Sequence, residues 1–136
     1  MTETVAAIVA AHRAGTLTPT DTVARSYQRI RDHNDPAIFI SLRDEKDALA
    51  EAGNLHPKDA VALPLFGVPV AVKDNIDVVG LRTTAACPAF AYTPSHDATA
   101  VARLRAAGAI IIGKTNLDQF ATGLVGVRSP YGIPQN

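Results

Sequence analysis

A lysine at the end of a valine-rich stretch is the residue of this sequence best suited to act as a base. Lys73 follows Val68, Val70 and Val72, which alternate as residues on one face of a β-strand do. A lysine amine that apolar neighbours shield from water loses its proton more easily than a solvated one. The same pattern fits a solvated lysine that closes a strand, and the strand alone favours this simpler interpretation.

A second stretch, residues 108–115, fits the phosphate-binding pattern G-x-x-x-x-G-K-[ST] letter for letter. A phosphate loop must curl its backbone N–H groups around an anion. The spacer here, Ala109-Ile110-Ile111-Ile112, contains three β-branched residues in a row and favours a buried, extended strand instead. We therefore interpret the match as coincidental and expect Gly108 to end the preceding helix.

Polar residues cluster where this isoleucine strand ends. We expect Gly113-Lys114-Thr115 to lead into a short helix, with Asn116 as its N-cap and with Leu117 and Phe120 facing inward. A strand-to-helix junction is the usual location of a site in an α/β sheet. A purely structural role fits the junction equally well.

Four histidines and one cysteine are further candidates for nucleophilic or metal chemistry. Their spacing matches no zinc site, and a single cysteine allows no intrachain disulfide, which favours a reducing, cytoplasmic setting. We predict an inert Cys87 and surface or capping roles for the histidines. The histidines are His12, His33, His56 and His96.

Composition excludes several classes of partner. The 136 residues are 47% hydrophobic and carry 13 acidic and 13 basic residues, which suits one small globular domain. A balanced charge gives no bulk attraction to nucleic acid or to an anionic membrane. No apolar run reaches membrane-spanning length, and the N-terminus does not have the pattern of a secretory signal.

The first part of the chain is predicted to be mainly helical, and the second part to contain both strands and helices. Residues 1–58 form a mainly helical lead segment in our interpretation, and residues 59–136 form the start of an α/β core. His56-Pro57-Lys58-Asp59 is the candidate linker. We predict helices ending near Gly15, starting at Thr18-Pro19, and covering residues 44–52 and 97–107, with a short strand at residues 38–42.

In order, spacing and residue type, residues 67–75, 97–109 and 113–120 resemble the N-terminal part of the amidase signature family. Residues 117–132 are most similar to the allophanate hydrolases within that family. The resemblance implies an α/β fold in which helices cover a mixed β-sheet. It also implies that residues 1–136 are the N-terminal fragment of one amidase domain.

The resemblance further implies a hydrolase in which one serine attacks an amide carbonyl while a second serine relays protons to and from a neutral lysine. Lys73 matches that lysine, and Ala121, Thr122 and Gly123 match positions that line the substrate pocket. Asp74 would favour the charged form of Lys73, so we expect its side chain on the opposite face of the strand. The implied reaction converts allophanate to ammonia and carbon dioxide in urea degradation, with no metal or organic cofactor.

Neither catalytic serine of the family is present, because the sequence contains no Gly-Gly-Ser-Ser-Gly or Gly-Gly-Ser segment. Ser129 matches a substrate-side loop instead, and Ser95 is expected to cap a helix. We therefore predict that these residues alone have no amidase activity. We also expect the isoleucine strand to expose apolar surface, and the chain to fold poorly or to associate.

Other interpretations stay open at this stage. A general amidase or the A-type subunit of glutamyl-tRNA amidotransferase would share Lys73, and a non-catalytic fragment could have a structural or binding role. For an intact parent we expect a small-molecule amide substrate, a homo-oligomer and a functional pairing with a biotin-dependent urea carboxylase. We expect neither nucleic acid nor a membrane as partner.

Overall fold

Four α-helices and three β-strands form within residues 3–135, which are the residues that the computed structural model describes. The helices are α1 (Val5–Ala14), α2 (Pro19–His33), α3 (Glu45–Gly53) and α4 (Thr99–Ala106). The strands are β1 (Phe39–Leu42), β2 (Pro69–Lys73) and β3 (Ile110–Thr115). The predicted α/β class and the predicted order of elements are confirmed.

Capping residues mark both ends of α1 and the start of α2. The Thr4 hydroxyl accepts the Ala7 N–H at 3.1 Å, and Gly15 ends α1 in the left-handed region with φ +69°. At α2, the Thr18 hydroxyl accepts the Asp21 N–H at 3.1 Å while the Asp21 carboxylate accepts the Thr18 N–H at 3.1 Å. This reciprocal cap satisfies two N–H groups that a helix end otherwise leaves open.

The chain forms two compact units, each built from three separate stretches. The first unit contains the stretch up to His33 together with Asp44–Val70 and Arg103–Ile112. Within it α2 packs on α3, and α1 packs on a 3-10 helix at Pro57–Val61. The candidate linker is not an extended segment: His56 caps this 3-10 helix, and the next three residues belong to it. The Arg13 Nε–H donates to the Ala60 carbonyl of the same helix at 2.9 Å.

The second unit contains Asn34–Arg43, Ala71–Ala102 and the stretch that begins at Gly113. In it, β1 pairs antiparallel with β3, placing Leu42 opposite Gly113 and Ser41 opposite Lys114. The sheet order is β1-β3-β2, so β3 is the middle strand. The Asp74 N–H donates to the Thr115 carbonyl at 3.1 Å where β2 and β3 end. The candidate site lies in this second unit.

The isoleucine strand is buried, which corrects one expectation and confirms another. Ile110, Ile111 and Ile112 are 1%, 0% and 6% exposed, so this strand does not present the apolar surface that we predicted for it. The isoleucines form an extended strand rather than a phosphate loop, as predicted. Gly108, at φ +93°, lies between the end of α4 and this strand. Exposed apolar side chains lie instead at Val61, Leu124, Val125 and Ile133.

None of the helices among residues 3–135 combines the length and the apolar character that crossing a membrane requires.

Candidate active site

The end of β2 places Lys73 and Asp74 on opposite sides of the strand. Val72 and Asp74 are buried, whereas Ala71 and Lys73 are exposed. The Lys73 ammonium forms no hydrogen bond or ion pair with any residue from 3 to 135. Alternation along the strand therefore predicted the direction of Asp74 correctly, and no described side chain holds the Lys73 amine.

The Asp74 carboxylate is neutralised by a second lysine, Lys114 of β3. Lys114 Nζ lies 2.9 Å from Asp74 Oδ1, and both side chains are 0% exposed. The same ammonium donates to the Arg82 carbonyl and to Thr83 Oγ1, each at 3.2 Å. Asp74 Oδ2 accepts the Thr84 N–H at 3.0 Å and also the Thr84 hydroxyl. A buried ion pair is thus hydrogen-bonded on both partners, the arrangement that makes such a pair tolerable.

The sequence analysis missed this role of Lys114. It treated Lys114 as part of a polar junction, although a signal was present in the alternation of Ile110, Ile112 and Lys114 on one side of β3. A lysine in a central strand that is buried on both faces requires a counter-charge. The sequence alone does not show that this counter-charge comes from the residue next to Lys73.

A buried segment connects the end of β2 with the turn that precedes Ala121. The Ala85 N–H donates to the Asp74 carbonyl at 3.1 Å, and the Ala85 carbonyl accepts the Phe120 N–H at 2.9 Å. Ala85 and Ala86 have φ +50° and +57°, a left-handed conformation that is unfavourable for residues with a Cβ. The Gln119 side chain donates to the Ala86 carbonyl at 3.0 Å. These contacts hold the alanines in their strained conformation.

The loop that carries the predicted substrate-binding residues is organised around Asp118. Its carboxylate accepts three backbone N–H groups, from Arg128 at 2.7 Å, Gly126 at 3.0 Å and Val125 at 3.1 Å. These hydrogen bonds, that of Arg128 foremost, lower the pKa of Asp118 from its ordinary value. A Cβ on Gly123 would lie 2.3 Å from Asp118 Oδ2, so only glycine fits there without a shift of the loop.

The predicted site residues are not in direct contact. Ala121 and Thr122 are exposed and Gly123 is half-buried. Within residues 3–135, no hydrogen bond joins Lys73 to these three residues, and the connection runs through the backbone of Ala85. Their roles as base and as pocket lining therefore stay predictions.

The family model for amidases matches residues 21–136 of the chain. This protein belongs to the amidase family. Urea amidolyase from Saccharomyces cerevisiae is 79% identical over 95 residues, which are 69% of this chain and 5% of that protein. The A-type subunit of glutamyl-tRNA(Gln) amidotransferase from Sulfolobus acidocaldarius is 38% identical over 135 residues, or 95% of this chain and 27% of that protein.

Similarity to a solved structure supports the same family. Selenomethionine-substituted allophanate hydrolase from Kluyveromyces lactis superposes with a TM-score of 0.75 at 46% identity, covering 95% of this chain and 21% of that one. The predicted family resemblance and the predicted fold are thereby confirmed. This chain spans between 5% and 27% of the length of these three relatives.

Asn116 does not cap a helix in this amidase, contrary to our expectation. Its Oδ1 accepts the Leu117 N–H at 2.8 Å and the Ser129 hydroxyl at 2.6 Å. Its Nδ2 donates to the carbonyls of Ala37 at 2.9 Å and Gly132 at 3.1 Å. Asn116 thus joins three segments that are distant in sequence.

Phe120 also departs from the prediction, whereas Leu117 is buried as expected. The short helix is a 3-10 turn at Gln119–Ala121, in which Phe120 has φ +51° and is 49% exposed. The centroids of the Phe120 and Phe90 rings are 5.3 Å apart in an edge-to-face contact. Phe90 makes the same kind of contact with Tyr92, with 5.6 Å between the ring centroids. The three rings line an open cavity of about 280 Å³ together with Asn75, Thr83 and Ala85.

His12 is not on the surface, which corrects another prediction. It is 6% exposed, with Nδ1 2.8 Å from the Phe66 carbonyl and Nε2 2.7 Å from Thr22 Oγ1. Because a carbonyl only accepts, Nδ1 carries the proton and donates. His56 does cap a helix, since its Nδ1 accepts the Lys58 N–H at 3.3 Å. Across residues 3–135 no group of histidine, cysteine and carboxylate side chains is placed to hold a metal.

Lowering the pH should weaken the hydrogen bonds that hold residues 125–128 to the Asp118 carboxylate. The pKa of Asp118 is lowered in the folded chain, so its stabilising effect is present above the ordinary carboxyl value and is lost as pH falls through the folded value. We expect the amides of Val125, Gly126 and Arg128 to lose their protection from hydrogen exchange in that acid range. Amide exchange measured by NMR from neutral to acid pH tests this.

Two variants make the acid prediction specific. Asp118→Asn should weaken the protection at every pH and remove its acid step, because a neutral amide oxygen is a weaker acceptor than a carboxylate. Asp59→Asn, a change at an exposed aspartate of the first unit, should keep the step. Protection that persists unchanged in acid would contradict the prediction.

Proposed function

We propose that this chain supplies the base of an amidase that acts on allophanate, with Lys73 as that base. One observation carries the proposal: in a member of the amidase family, the Lys73 amine is exposed and has no partner among residues 3–135, while the adjacent Asp74 carboxylate is turned away and paired with Lys114. An amine without a counter-charge gives up its proton more readily than a paired one. Similarity to urea amidolyase and to allophanate hydrolase supports the choice of substrate.

In the proposed reaction a serine attacks an amide carbonyl of allophanate, and Lys73 receives the serine proton through a second serine. The proton then passes to the leaving nitrogen, which departs as ammonia, and water releases the acyl group. Both serines come from segments that the 136 residues do not contain. The contribution of this chain is the base, its position at the end of β2, and the loop with Ala121, Thr122 and Gly123 at the substrate.

Further features of the proposal concern the setting of the enzyme. We retain the pairing with a biotin-dependent urea carboxylase, the homo-oligomeric parent and the absence of nucleic-acid and membrane partners as predictions. Cytoplasmic location is supported by a single cysteine, Cys87, which is half-buried. The division into residues 1–58 and 59–136 also remains a prediction.

The proposal can be tested by grafting this chain in place of the matching segment of Saccharomyces cerevisiae urea amidolyase. We expect the chimera to release ammonia from allophanate. Lys73→Ala should lower kcat about 10³-fold, within the range typical of a lost general base. Lys73→Arg should be as inactive, since a guanidinium keeps its proton at neutral pH. Lys58→Ala, at an exposed lysine of the first unit, should retain activity.

Two results would contradict this proposal. Full activity of the Lys73→Ala chimera would exclude the lysine as base. Turnover of allophanate by the isolated 136 residues above that of their own Lys73→Ala variant would contradict the need for the missing serines.

A second candidate function is that of the A-type subunit of glutamyl-tRNA(Gln) amidotransferase, favoured by 38% identity over 135 residues to the Sulfolobus acidocaldarius protein. A graft into that protein that restores its amidotransferase activity, while the graft into urea amidolyase stays inactive, would favour this alternative. A chain that supports neither activity would favour a non-catalytic role.

A further inference from the structure

We propose that Lys114 is a positioning residue that holds the Asp74 carboxylate on the buried side of β2 and so keeps negative charge away from the Lys73 amine. This inference rests on the proposed role of Lys73 as a base. Lys73 of β2 would then transfer the proton, and Lys114 of the neighbouring strand β3 would hold the nearby carboxylate.

The need for such a residue follows from the order of the chain. Asp74 is the residue after Lys73, and a free carboxylate beside an amine stabilises the protonated ammonium. In the structure both carboxylate oxygens are committed elsewhere, Oδ1 to Lys114 Nζ at 2.9 Å and Oδ2 to the backbone and hydroxyl of Thr84. The negative charge next to Lys73 is therefore cancelled at close range.

Lys114 is anchored well enough to do this. Its ammonium donates two hydrogen bonds, to the Arg82 carbonyl and to Thr83 Oγ1, and lies 2.9 Å from Asp74 Oδ1 as an ion pair. The Thr83 hydroxyl then donates to Asp77 Oδ1 at 2.8 Å, which also accepts the Tyr92 hydroxyl at 2.7 Å. Asp77 and Tyr92 are thus connected to the ion pair through Thr83, and the Lys114 ammonium is the charged group that contacts the Asp74 carboxylate.

Burial also excludes Lys114 as a base in its own right. Its side chain is 0% exposed and its ammonium is paired with the Asp74 carboxylate, so a substrate cannot reach the amine. Lys73, in contrast, is exposed and has no partner among residues 3–135. The lysine in the apolar strand positions the charge, and the lysine at the strand end is available for proton transfer.

Competitive acetylation of the 136-residue chain tests the inference without any need for hydrolysis. Acetic anhydride acetylates unprotonated amines, and mass spectrometry reports the rate at Lys73 against the exposed lysines Lys46 and Lys58. We expect Lys114→Met to slow the labelling of Lys73 about fivefold at neutral pH, because Asp74 is then an uncompensated negative charge. Asp74→Asn should accelerate it by a similar factor.

The double variant Lys114→Met, Asp74→Asn should return the labelling of Lys73 to that of the unchanged chain. This signed pattern distinguishes a charge effect from a loosened structure, which would move both single variants in the same direction. Equal rates in all four proteins, or two shifts of the same sign, would overturn the inference.

If Lys114→Met does not fold, the comparison of Asp74→Asn with the double variant decides alone, since only the former should label faster than the unchanged chain. Failure of the proposed function is distinguishable from failure of this inference. An inactive chimera combined with the signed labelling pattern would remove the hydrolase proposal and leave the role of Lys114 in place.

Discussion

Replacing Lys114 by methionine should lower the free energy of unfolding by about 3–5 kcal/mol, the usual cost of breaking a buried ion pair from one side. The loss is large because the Asp74 carboxyl, 0% exposed, is left without its partner in a place that water does not reach. Methionine has a similar length and fills the same space, so the change in packing is small. Urea denaturation followed by circular dichroism measures the effect.

A double-mutant cycle supplies the control. Adding Asp74→Asn to Lys114→Met should recover most of the loss, because the asparagine oxygen can still accept the hydrogen bonds of Thr84 and no unpaired charge remains. Independent, additive effects of the two substitutions would contradict the ion-pair explanation.

A surface pair of similar length provides the matched comparison. Arg25 Nη2 lies 2.7 Å from Glu3 Oε2, but the two side chains are 38% and 26% exposed. Arg25→Met should therefore cost no more than about 1 kcal/mol. Nearly equal separations with different costs would show that burial, rather than distance, sets the energy of the Asp74–Lys114 pair.

Replacing Gly113 by alanine should destabilise the chain by about 3 kcal/mol or more, which is the upper end of the cost of overpacking. A Cβ at this position would lie 2.6 Å from the Ser41 carbonyl oxygen, 3.0 Å from the Phe39 ring and 3.2 Å from the Leu42 Cα. Two of these atoms belong to the β1 backbone, so they cannot move aside without breaking the pairing of β1 with β3. Urea denaturation measures the loss, and exchange of the β1 amides locates it.

Gly53 is the matched control for Gly113. It ends α3, has no positive φ, and a Cβ there would meet nothing closer than Thr20 Oγ1 at 4.0 Å. Gly53→Ala should be neutral or stabilise the chain by up to about 1 kcal/mol, since alanine is the better helix former. Similar losses at both glycines would show that the clash with β1 is not the cause.

Local patterns in the sequence predicted those parts of the structure that depend on near neighbours. The cap of α2 at Thr18 and Asp21 lies within one turn, and the opposite directions of Lys73 and Asp74 follow from the period of a strand. The three consecutive isoleucines correctly predicted a strand rather than a phosphate loop. In each case the decisive contact lies within a few residues.

The predictions that were wrong involve contacts between distant segments. The buried His12 side chain is hydrogen-bonded to the carbonyl of Phe66, 54 residues away. Helical periodicity contains no information on that partner. Asn116 bonds to Ala37, 79 residues away, which overrides its local preference to cap a helix. The role of Lys114 was missed for the same reason, since its counter-charge, Asp74, directly follows another strand and is 40 residues away in sequence.

The two consecutive left-handed alanines limit the side chains that this chain can carry at these positions. At Ala85 and Ala86 the backbone favours glycine, while the buried surroundings, with exposures of 5% and 0%, leave little space beyond a methyl group. We therefore expect this chain to tolerate glycine at either position and to lose stability with any larger side chain. The segment acts as a rigid spacer that fixes the distance between the residue that follows Lys73 and the turn that contains Ala121.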